Sequence, residues 1–118
     1  MRIMLLVALA LTASAARADD VQDAHRLALQ GRDSYWNCLA GEYTRPEVNA
    51  MSTQDFTSNI ASACPSERQN FRVTLLDYLS LQFPDNQADA NLVTANRAIE
   101  LAQKDVVTAF AHRKRAPN

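Results

Sequence analysis

Acid–base, redox and metal chemistry in this 118-residue chain would have to rest on two histidines, two cysteines and thirteen carboxylates. His25 and His112 lie near opposite ends of the chain, and neither has a second histidine within helical reach. Asp20 and Asp23 could join His25 at a metal ion, but three donors on one surface helix define no coordination geometry. Asp77 and Glu100 fall on two later segments and Asp33 and Glu42 on an earlier one, scattered enough that two of them become an acid–base pair only if the fold brings them together. A serine nucleophile needs a placed base and a strained turn such as Gly-x-Ser-x-Gly, and no such turn occurs. Gly31 and Gly41 are the only glycines, which excludes phosphate-cradling loops. Met51 is the only methionine after the first 18 residues, which excludes methionine-rich copper chemistry. The expectation is therefore a non-catalytic protein without cofactor or metal, with a small hydrolase or metal binder as the last alternative.

The cysteines are read through the compartment that the first residues imply. Met1 to Ala18 holds two cations, no acid and 14 apolar residues, and ends in Ala16-Arg17-Ala18, where small residues flank one position. That pattern predicts a cleavable signal peptide over 1–18, with Asp19 as the new N-terminus. The apolar run is shorter than the roughly 20 residues needed to span a bilayer, so no stable membrane insertion is expected after cleavage. The protein is accordingly expected in the periplasm or the medium. Cys38 and Cys64 are the only thiols, and in an oxidising space they pair in the one possible way. Their separation lacks the Cys-x-x-Cys spacing of a redox site.

The elements that must position these residues read as helices. Glycine is scarce and no β-branched run alternates with period two, so residues 19–118 are expected to form one all-α, four-helix bundle-like domain stapled by the disulfide. The expected helices span about 20–43, 53–63, 66–83 and 87–113. In the first, Asp19, Asp20 and Asp23 suit the positive end of the helix dipole, and Gly31 is a candidate kink. Thr44-Arg45-Pro46-Glu47 and Ser52-Thr53-Gln54-Asp55 compete as starts of the second, and the later one is favoured. Pro65 ends that helix, and Pro84-Asp85-Asn86 separates the third from the fourth.

In the fourth helix Ala88, Leu92, Ala95, Ile99, Ala102, Val106 and Ala109 follow a heptad register, with alanine recurring at one position. This predicts a close-packed seam, against the third helix or against a second copy of the chain. The fourth helix is also longer than the third, so its last turns are expected to overhang. Phe110 beside Arg113, Lys114 and Arg115 would then be an apolar anchor next to cations. Trp36 and Tyr43 complete the candidate partner-contact set.

Trp36 two residues before Cys38, a second cysteine at 64 ahead of the later helices, and an exported helical body of about 100 residues resemble small periplasmic acid-stress chaperones. That resemblance implies a chain that exposes apolar surface when its acids protonate. The leading expectation is an accessory or inhibitor that binds another envelope protein. Residues 19–118 carry 10 cations against 13 acids, net −3, which argues against nucleic acid as a partner.

Overall fold

The computed structural model describes the backbone of residues 2–116 and the side chains of residues 17–116. The order is helix α1 (Arg2–Thr44), a 3-10 turn (Pro46–Ala50), α2 (Thr53–Ser62), α3 (Pro65–Gln82) and α4 (Ala88–Arg115), with no strand among the described residues. The expected leader, residues 1–18, falls almost wholly outside the residues whose side chains are described. Both competing starts after Tyr43 are used. Pro46 opens the 3-10 turn, and Ser52 caps α2 by accepting a hydrogen bond from the Asp55 amide at 3.0 Å.

The helix α1 runs unbroken through Gly31. Its flank packs so tightly on α3 that a Cβ built there would stand 2.8 Å from Thr74 Oγ1 and 3.1 Å from the Phe71 Cα. The buried stripe of α1 runs Ala24, Ala28, Gly31, Tyr35 and Leu39. Small residues in its first half let the backbone of α3 approach, and large ones in its second half fill a wider space.

The alanine seam of α4 is corrected in part. Ala95 and Ala102 are buried with Ile99 and Val106, but Ala88, Leu92 and Ala109 are exposed, and the stripe instead includes Asn91 and Phe110. The buried positions pair at an 11-residue interval (91 with 102, 95 with 106, 99 with 110), close to the 3.6-residue turn of a straight helix. A strict heptad drifts about 20° per repeat from that line and leaves the stripe at its ends.

Cys38 and Cys64 form the disulfide, with Cα atoms 6.1 Å apart. Cys64 occupies the two-residue reversal between α2 and α3 and adopts φ 55° and ψ 51°, the only positive φ at a non-glycine residue among those described. Pro65 disfavours right-handed helical geometry at Cys64 and opens α3 at its first position. Arg68 braces the reversal: its amide donates to the Cys64 carbonyl at 2.9 Å, and its guanidinium donates to the Ala61 carbonyl.

The main core lies around Tyr35, Leu39, Val48, Phe56, Ile60, Ile99, Val106 and Phe110. Tyr35 is fully buried, and its hydroxyl accepts a hydrogen bond from Gln103 Nε2 at 3.0 Å, so the burial leaves no polar group orphaned. At ten residues, α2 is about 15 Å long, and it covers only this half of the bundle. The other half consists of α1, α3 and the start of α4, where the buried side chains are mostly small: Ala24, Ala28 and Ala95, with Leu79 and Asn91.

Candidate functional site

The end of α4 is not an overhang. Phe110 is 0% exposed and stacks on Phe56, so the expectation of an accessible Phe110 anchor is corrected. The reason is that α4 changes partners along its length, packing on α3 first and then on α2 and the end of α1. Arg113 lies with its guanidinium carbon 4.1 Å from the centre of the Tyr43 ring and donates from Nη1 to the Tyr43 carbonyl at 3.3 Å. Its Nη2 is buried without a hydrogen-bond partner, so the ring face is what compensates that part of the charge. Trp36 and Tyr43 are half-buried against the core. Of the expected contact set, Lys114 and Arg115 stand exposed to water.

The residues singled out for chemistry are dispersed. His25 is exposed and rests against the Tyr78 ring at 4.9 Å, while His112 is exposed at the far end. Asp33 pairs with Arg32 at 3.1 Å, and Glu42 pairs with Arg45 at 2.8 Å and accepts from Asn59 Nδ2 at 3.3 Å. Glu100 lines a shallow depression beside Arg68 and Arg72. Cys38, Cys64 and Glu67 bring ligand-type atoms within 4.8 Å of one another, but the two sulfurs are bonded to each other and offer no thiolate.

Asp20, Asp23 and Asp77 line one groove, at a place that sequence reasoning did not assign. The groove, about 470 Å³, lies between α1 and α3 and is also lined by Ala24, Leu27, Leu81, Thr74 and Ser80. On α1 the residues fall at 20, 23, 24 and 27, and on α3 at 74, 77 and 81, each set a single helical face. That spacing was visible in the sequence. What was not visible is the antiparallel register, set by Gly31 against Phe71 and Thr74, that lays the two faces side by side. The Thr74 and Ser80 hydroxyls bond back to Asn70 and Leu76 carbonyls of their own helix at 2.9 Å, so the carboxylates are the charged groups of the lining. Asp23 has Arg26 at 3.5 Å, whereas no cation pairs with Asp20 or Asp77 among the described residues.

The large apolar side chains Leu27, Val73, Leu81, Phe83, Leu92, Val93 and Leu101 are between 37% and 56% exposed, and of these Leu27 and Leu81 line the groove. Among the described residues no helix is long and apolar enough to cross a membrane. No known family, curated protein or solved structure matches the chain.

Proposed function

We propose that this chain is an exported, disulfide-stapled helical protein that works by binding another protein of the cell envelope, as an accessory or inhibitor, and that it is not an enzyme. The observation that carries the reading is the uncovered end of the bundle. There α2 is missing as a fourth layer, and the α1–α3 groove is lined by Ala24 with Leu27 and Leu81, two large apolar side chains that stand 46% and 37% exposed. Apolar surface gathered at one place on a small domain marks an interaction site more often than scattered single residues do. The disulfide is compatible with an oxidising compartment, and cleavage after Ala18 would leave Asp19, Asp20 and Asp23 near the start of the exported helix, where the dipole favours acids.

Photo-crosslinking in intact envelope tests this. A photoreactive residue at Leu27 or Leu81 should give a discrete protein adduct, and one at Ala61, on the α2 side, should not. Equal labelling at all three positions, or none at Leu27 and Leu81, overturns the reading. N-terminal sequencing of the exported form should begin at Asp19.

A further inference from the structure

The charge around the groove says what kind of segment fits it. It is lined by three carboxylates, of which only Asp23 has a cation beside it, Arg26 at 3.5 Å, and by the apolar Ala24, Leu27 and Leu81. Helix-end electrostatics account for Asp20 and Asp23 on an exported chain that begins at Asp19, but not for Asp77. That residue lies in the C-terminal third of α3, where the dipole favours cations instead. Asp77 therefore faces the groove without a local electrostatic gain and without an ion-pair partner among the described residues.

We propose that the α1–α3 groove binds a cationic amphipathic helix of a partner protein, its apolar stripe on Leu27 and Leu81 and its lysines or arginines on Asp20, Asp23 and Asp77. This rests on the protein-binding reading above and names the chemistry of the partner. A helix is the fitting shape because the groove follows the seam of two antiparallel helices for about 10 Å, two turns of α1 from Asp20 to Leu27, the place a further helix takes in a bundle. The chain's own basic tip is not the occupant: Phe110, the aromatic residue beside Lys114 and Arg115, is fully buried and leaves that tip without an apolar anchor. Anionic lipid and nucleic acid are repelled by the same carboxylates.

The test uses oxidised protein of residues 19–118 and a labelled synthetic helix of lysine and leucine, about four turns long, with leucines at i, i+3, i+4 and i+7. Fluorescence anisotropy should show saturable binding that weakens as salt rises. A counterpart with glutamate for lysine, and a scrambled peptide of the same composition, should each bind at least about tenfold more weakly. Asp20→Asn with Asp77→Asn, and separately Leu27→Gln with Leu81→Gln, should each lower affinity about tenfold with the helical circular dichroism unchanged, whereas Val93→Gln on α4 should not. Tight binding of the scrambled or glutamate peptide, or unchanged affinity in both double variants, overturns the proposal. The two levels fail separately. Envelope adducts at Leu27 whose crosslinked segment is acidic or neutral overturn the cationic class and leave protein binding standing; absence of adducts overturns protein binding even where the synthetic helix binds.

Discussion

The rings of Phe56 and Phe110 stack with centroids 4.0 Å apart and planes 13° from parallel, joining α2 to the last turns of α4. Both side chains are 0% exposed, so this pair closes the core at one end of the bundle. Phe110→Ala removes one ring and leaves the other facing a cavity. The expected cost is about 3–5 kcal/mol, read as a lower urea midpoint at unchanged slope. Truncation after Ala109 should destabilise the fold to a similar degree; a shortened chain that melts like the parent would show that the α4 end does not belong to the core.

The two glycines should respond to alanine with opposite signs. In a helix interior the exchange ordinarily stabilises by up to about 1 kcal/mol. Gly41 has nothing within 4 Å of the added methyl, so Gly41→Ala should raise the melting temperature. At Gly31 the methyl would meet Thr74 Oγ1 at 2.8 Å and the Phe71 backbone at 3.1 Å. Moving α3 away costs about 1–3 kcal/mol, more than the propensity gain, so Gly31→Ala should lower the melting temperature.

Reduction of the Cys38–Cys64 bond should cost about 3.5 kcal/mol on the chain-entropy estimate, measured by denaturation with and without reductant. The left-handed backbone at Cys64 adds a second, separable effect. The Cys38→Ala, Cys64→Gly chain should be more stable than Cys38→Ala, Cys64→Ala by about 1 kcal/mol, because glycine accepts that conformation without a Cβ penalty. Equal stabilities would mean that the reversal relaxes once the bond is gone.

Leucine substitutions along α4 should separate the buried seam from the exposed heptad positions. Ala102 is 1% exposed, and Ala102→Leu should overpack the core by about 1–3 kcal/mol. Ala88→Leu and Ala109→Leu point to water and should melt within about 0.5 kcal/mol of the parent. A uniform penalty at all three positions would restore the heptad seam.

The sequence by itself determined the helices and where they stop. Ser52, Pro65 and the Pro84-Asp85-Asn86 break act on backbone groups within a turn of themselves, so their effect is legible without knowing what lies opposite. It also determined the one disulfide, since Cys38 and Cys64 had no other partner. Tertiary structure decided which faces meet. Phe110 read as an exposed anchor because α4 is longer than α3, yet α2 and the end of α1 lie against its last turns. The alanines of α4 read as the site of closest approach, yet that contact falls at Gly31, whose missing side chain has no periodic signature. Asp20 and Asp23 read as acids at a helix start and Asp77 as one of several scattered carboxylates, because two helical faces become one groove only when an antiparallel register lays them side by side. The register depends on how distant side chains interlock, and no local pattern encodes it.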